Sequence, residues 1–312
     1  MKRSLRALLV VLLAVSPSVA RGAAGDLIKN FNLPTSGNGV SIAVDCNGTV
    51  YFTHGSVATL YRMDKNGANQ TSVALTKSTG GSVFIDEFAW DETRKILWAQ
   101  EHGTSPINIY QLNPTTGVAT FKFAAGSSIG TFRDGIGYDG SDDTLWISGD
   151  VSTVIDHVKA SDGSPATPAQ ITPKNQAGGA LGSISGVIVG QGDLLYLGQN
   201  GNSQIVQVKK SDGSFISTFA SPGGNRDEGL ECDPVNFAPK LALWSREFFS
   251  PGSVSVIELA PGTCSCGGVV VTPGVTPTVI TAVVPTLGGQ GVALLLLLLA
   301  GAGVLLIGIR WK

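Results

Sequence analysis

The sequence predicts an all-β fold: a five-bladed β-propeller closed by its N-terminal strand, with one C-terminal transmembrane helix. Three observations carry that prediction. A strand-pair pattern recurs five times at a spacing of about 47 residues, the first segment after an export signal resembles the last strand of a repeat, and a charge-free apolar run lies near the C-terminus. Composition agrees. Forty-one glycines, 43% hydrophobic and 14% charged residues suit a turn-rich β protein and not a disordered chain. A net charge of -2 with no basic patch argues against nucleic acid as a partner. The four cysteines lack the paired CxxC spacing of a structural zinc site.

Residues 1–24 read as a signal peptide. Lys2, Arg3 and Arg6 form its positive start, Ala7 to Val15 its apolar core, and Ser18-Val19-Ala20 or Gly22-Ala23-Ala24 its small-residue cleavage site. The propeller is expected over 25–262, outside the cytoplasm, where disulfides persist. Its repeats align on one turn residue each: Asp45, Asp91, Asp139, Gly190 and Asp233. The third copy shows the pattern best. Gly137-Tyr138-Asp139 ends one strand, Gly140 to Asp143 turn, and Thr144 to Ser148 form the next, with bulky residues alternating as in a buried strand. Third strands follow at Leu60 to Met63, Ile107 to Leu112, Val154 to Val158, Gln204 to Val208 and Val254 to Leu259. Four copies continue, past a turn ending in Gly67, Gly117, Gly163 or Gly213, to a fourth strand.

The fifth copy has no fourth strand of its own. GDLIKNFNLP from Gly25 is similar to GSFISTFASP from Gly213, so Leu27 to Leu33 is expected to complete the last blade and close the ring. An open sandwich is the alternative.

A Pro/Thr/Val linker follows over 263–283. Val292 to Ile309 is apolar, free of charge and long enough to span a bilayer, and Arg310 and Lys312 come directly after it. Positive charge favours the cytoplasmic side, which places the propeller outside. The tail from Val284-Pro285-Thr286-Leu287 through the apolar span to the basic end resembles the IPTL-CTERM class of bacterial sorting signals over 284–312. That resemblance implies an exosortase-type processing peptidase as partner and an envelope or surface destination. The usual Ser-Glu-Trp-Gly after the tetrapeptide is here Gly288-Gly289-Gln290-Gly291. The repeats themselves are loosely similar to NHL and gluconolactonase-type propellers, a likeness of fold alone.

In a propeller, the loops from fourth to first strands share a face with those between second and third strands. Five residues before each turn residue stand Val40, Asp86, Asp134, Ser185 and Glu228, which places three carboxylates at the mouth of the central channel. Oxygen-rich sets of this kind suit calcium, which makes Asp86, Asp134 and Glu228 candidate metal ligands. The plainer reading is that they hydrogen-bond strand starts and loop amides. On the same face, Glu101, Asp150, Asn200, Arg246 and Glu247 form a candidate ligand-binding surface, and His54 and His102 are candidate acid–base residues. No GxSxG motif supplies a nucleophile. Asp139 to Asp143 has the composition of a calcium loop without the downstream glutamate, and reads as a solvated turn. Trp90, Trp98, Trp146 and Trp244 recur at equivalent places and are expected in the core.

The cysteines fall on the opposite face. Cys46 and Cys232 flank turn residues, and the last third strand delivers Cys264 and Cys266 beside them, so the pairs Cys232–Cys264 and Cys46–Cys266 are expected. Together these features suggest a membrane-anchored envelope binding module of unknown ligand. A calcium-dependent hydrolase or lactonase with its site at the channel mouth stands as the alternative.

Overall fold

A computed structural model describes residues 24–33, 39–125, 134–150, 152–222, 224, 226–248 and 252–267. The predicted cleavable signal (apart from Ala24), most of the linker, and the sorting tail with its transmembrane run lie outside them. Among the described residues there is no helix.

The first strand, β1 (Leu27–Asn32), does not belong with its sequence neighbours. Blade 1 follows it with β2 (Gly39–Val44), β3 (Val50–His54), β4 (Thr59–Met63) and β5 (Thr71–Ala74). A short β6 (Thr76–Lys77) then pairs in parallel with the outer strand of blade 2. Blade 2 is β7 (Ile85–Asp91), β8 (Ile96–Glu101), β9 (Ile107–Leu112) and β10 (Val118–Ala125). Blade 3 is β11 (Gly135–Asp139), β12 (Thr144–Ser148), β13 (Ile155–Lys159) and β14 (Pro165–Ile171). Blade 4 is β15 (Ile184–Val189), β16 (Leu195–Gln199), β17 (Asn202–Val208) and β18 (Phe215–Ala220). Blade 5 has only β19 (Asp227–Asp233), β20 (Leu241–Glu247) and β21 (Ser253–Leu259) from its own stretch of chain. Its fourth strand is β1, antiparallel to β21, so the ring closes as predicted.

The repeat's turn residues explain why each hairpin forms. Asp45 Oδ1 accepts from the backbone N–H groups of Asn47 and Thr49, Asp139 Oδ1 from Ser141, and Asp233 Oδ1 from Val235 and Asn236. Such side-chain acceptors satisfy turn amides that the ladder leaves unpaired. Two of these aspartates also hold a tryptophan of the following strand: the Trp98 and Trp244 indole N–H groups donate to Asp91 and Asp233 at 3.1 and 2.8 Å. All four predicted core tryptophans are buried.

The apolar core is divided by the seams between blades. Five clusters form, one for each pair of neighbouring blades, including blade 5 with blade 1, where Trp244, Val254 and Val256 meet Ile42, Phe52 and Met63. A ring with a gap would leave one of these clusters open to water. The innermost strands β2, β7, β11, β15 and β19 touch around the axis. Gly186 on β15 and Gly198 on β16 let blade 4 approach β19 closely: a Cβ on Gly198 would lie 2.0 Å from the Asp227 carbonyl oxygen and one on Gly186 2.4 Å from that of Glu228.

The chain continues past the predicted boundary at Gly262 and packs under the ring. Thr263 O accepts from Gln191 N–H and the Tyr196 hydroxyl of blade 4, while Gly267 lies against Glu92 and Trp90 of blade 2. The strap thus crosses the base, with Cys264, Ser265 and Cys266 buried. Cys46 and Cys266 form the expected disulfide, with Cα atoms 5.6 Å apart. The expected Cys232–Cys264 bridge is not formed. Both are buried thiols in the seam between blades 4 and 5, and the Cys264 thiol reaches the Ala242 carbonyl at 3.7 Å. Sequence placed the two sulfurs in one region, but proximity alone does not make a bond.

Candidate functional site

The channel mouth is built by strand ends. First strands begin there, which delivers Asp86 on β7, Asp134 just before β11, Ser185 on β15 and Glu228 on β19. Second strands finish there, which adds Glu101, Asp150, Asn200, Arg246 and Glu247. Sequence reasoning missed the group that organises them, Arg226.

Arg226 gathers three carboxyls. Its Nε lies 2.6 Å from Glu228 Oε1, and its Nη2 lies 3.0 Å from Asp150 Oδ2 and 3.4 Å from Asp134 Oδ2. Its backbone N–H donates to Glu247 at 3.0 Å, and the guanidinium lies 4.1 Å from the centroid of the Phe248 ring. Asn200 donates to Asp150 at 3.0 Å and bridges by backbone to Arg226. A planar guanidinium suits this setting, since it offers several donors in one plane and a face for an aromatic ring.

One cation cannot neutralise three buried carboxyls. Burial, then repulsion from Asp150, pushes Asp134 up to about 7 against the pull of Arg226. Burial, then Asp134, pushes Glu228 up to about 10. Glu228 is 1% exposed, and its Oε2 and the Oδ1 of Asp150 have no hydrogen-bond partner among the described residues. Deeper in, burial raises Glu87, another residue the repeat alignment passed over.

Asp86 stands apart from this cluster. Its Oδ1 is 2.6 Å from Nδ1 of His102, whose ring is largely exposed. Burial raises the Asp86 pKa, and the attraction of His102 opposes it. The other histidine candidate is elsewhere. His54 is 2% exposed, meets the rings of Phe52 and Tyr61, and has Nδ1 3.0 Å from Arg246. Arg246 is itself a buried spoke that donates to the carbonyls of Ser41 and Thr53 at 2.6 and 2.5 Å, and burial lowers its pKa to about 9. Glu101 is drawn aside by Lys77 at 2.6 Å, Asn108 at 2.7 Å and the Tyr110 hydroxyl at 3.0 Å. Ser185 donates to the Asp227 carbonyl.

The structure does not gather the three predicted calcium ligands at one point. Asp134 and Glu228 already share the Arg226 charge, and Asp86 faces His102. Among the described residues, only Cys46, Glu92 and Cys266 bring three ligand atoms within 4.8 Å of one another, and both cysteines are spent in the disulfide. The acidic turn of blade 3 is also satisfied internally, Asp139 by Lys210 and Asp143 by Arg94.

No protein-family model and no curated protein matches this sequence. Solved structures do share its fold. Glutaminyl cyclase from Myxococcus xanthus matches with a TM-score of 0.53 at 12% identity, covering 75% of this chain and 97% of its own. A luciferin-regenerating enzyme matches with a TM-score of 0.50 at 10% identity, covering 77% of this chain and 98% of its own. These likenesses agree with the all-β propeller fold, whose five blades the sheet topology shows. Identities this low concern the fold alone.

Proposed function

We propose that this chain is an exported, membrane-anchored propeller that serves as a binding module of the cell envelope, with the channel mouth as its ligand site. The ligand class is a small organic cation, an amine or guanidine. The observation that carries this reading is Arg226: its guanidinium is held by Asp134, Asp150 and Glu228 against the face of Phe248. The mouth therefore binds, within its own chain, the chemistry it would take from solution. Buried carboxyls with raised pKa values in a concave site commonly mark function.

Thermal unfolding with agmatine and, separately, calcium chloride tests the reading. A ligand that binds the folded form raises the melting temperature by mass action. Agmatine should stabilise the wild type and stabilise Arg226→Ala more, because the internal competitor is gone. Asp134→Asn with Asp150→Asn should abolish both effects. Stabilisation by calcium alone, or by neither, overturns the proposal. The address has its own check: full-length chain should stay with membranes through a high-salt wash, and truncation at Gly268 should release it.

A second reading rests on the Asp86–His102 pair. A half-buried carboxylate that orients an exposed imidazole is an arrangement for general-base chemistry. It needs no metal and differs from the calcium-dependent lactonase, which the Arg226 contacts disfavour. Hydrolysis of p-nitrophenyl acetate that disappears in His102→Gln would support it; a rate unchanged by that substitution would remove it.

A further inference from the structure

Beside the channel mouth, on blade 4, a groove of about 330 Å³ runs between the 172–183 loop and the outer strands β17 and β18. That volume is at the small end of the usual ligand-pocket range of about 300–1,000 Å³. Its lining carries no charged residue, in contrast to the mouth. Side-chain amides of Asn175, Gln176, Gln199, Asn202 and Gln204 supply most of its polar surface, together with the Thr218 hydroxyl. Phe215, Leu181 and Val206 supply the apolar part.

The amides are in two states. Gln199 is fixed: its Nε2 donates to the Gly182 carbonyl at 3.2 Å, and its Oε1 accepts from Asn202 Nδ2 at 3.0 Å. That bond commits one Asn202 donor. Asn175 is likewise held in place, since its Oδ1 accepts from the backbone N–H groups of Ala177 and Gly179. The exposed amides of Gln176 and Gln204, by contrast, make no hydrogen bond among the described residues. A fixed frame with two unengaged amides, in a lining that also holds an aromatic ring, is a specific chemical offer.

We infer that this groove binds a neutral polyhydroxylated ligand, a glycosyl unit of about one or two rings. A hydroxyl both donates and accepts, and a primary amide presents a donor and an acceptor side by side, so neighbouring amides can serve adjacent hydroxyls. The C–H face of a sugar ring is apolar enough to lie on Phe215. An ionic ligand would find no counter-charge here and would lose hydration on entry. The inference is independent of the channel-mouth reading: the residues it uses are not those around Arg226.

The test is titration of the full chain, in buffer free of sugar-headed detergents, with glucose, galactose, mannose, N-acetylglucosamine and its β-1,4 dimer, followed by calorimetry or NMR. At least one neutral sugar should bind with Kd between about 0.1 and 10 mM, a range normal for few contacts. Gln204→Ala and Gln176→Ala are exposed substitutions that leave folding intact, and each should weaken binding about tenfold. Asp134→Asn at the mouth should leave it unchanged, and glucuronate should bind no tighter than glucose. Absence of binding by every neutral sugar to about 50 mM overturns the inference. So does binding that survives both glutamine substitutions, or binding lost with Asp134→Asn.

Discussion

Arg226 sets the chemistry of the mouth, and it is the residue that positional alignment of the repeats could not show. Asp86, Asp134 and Glu228 were legible because they stand at the same distance before each turn residue. Arg226 stands two residues earlier than Glu228, where other repeats carry Phe84 or Ser183, so no pattern flags it. His54 misled for the reverse reason: a strand-end histidine reads as exposed, but the neighbouring blade places Arg246 over it. The carboxyls give a prediction about pH. The folded chain keeps a proton on Asp134 to about pH 7 and on Glu228 to about pH 10, whereas an unfolded chain releases both near 4. Over that interval the folded state binds more protons, so stability falls as pH rises. Acids whose pKa is lowered, such as Asp143 beside Arg94, act in the other direction only below about pH 4. The free energy of unfolding should therefore decline from pH 5 to pH 8, on the order of 1 kcal/mol per pH unit, the melting temperature should fall with it, and Glu228→Gln should flatten the slope. A rise across that range contradicts the buried-acid account. Arg226→Met should cost about 3 kcal/mol at pH 8, where it leaves buried carboxyls unpaired, and less at pH 5. Urea unfolding at the two pH values measures the difference.

At the scale of the element, β1 carries the closure. It pairs with β21 along Leu27 to Asn32, Phe31 meets the Trp244 ring edge-on at 6.0 Å, and Lys29 reaches Asn66 in the adjoining blade at 3.0 Å. Phe31→Ala should destabilise the fold by about 2–3 kcal/mol, below the usual cost for a fully buried ring because Phe31 is half-exposed. Deleting residues 24–33 should do more, since it strips β21 of its partner and exposes an edge that invites association. Light scattering and chemical denaturation read these outcomes; a monomeric deletion variant with unchanged stability would show that β1 is dispensable. The strands and turns were readable throughout because turn aspartates and strand tryptophans recur in register and hold one another, as Asp233 holds Trp244. The β6 addition to blade 2 was not readable, because two residues carry no periodicity.

At the scale of the molecule, five seams and one disulfide hold the ring. Cys46 and Cys266 are 220 residues apart in sequence, so their bond restricts the unfolded chain over most of its length. Losing it, by reduction or Cys266→Ser, should cost about 2–4 kcal/mol. Peptide mapping without reductant should recover that pair, and alkylation after unfolding should label Cys232 and Cys264. The face on which the sulfurs gather and the Cys46–Cys266 pair were legible from strand direction; that Cys232 and Cys264 stay unbonded was not, since that depends on thiol geometry below the resolution of any repeat alignment. The strap that carries Cys266 has one more effect. It fastens three blades with one short run of chain: Thr263 holds blade 4, Cys266 is bonded to blade 1 and Gly267 lies against blade 2, so a change that frees the strap loosens all three together.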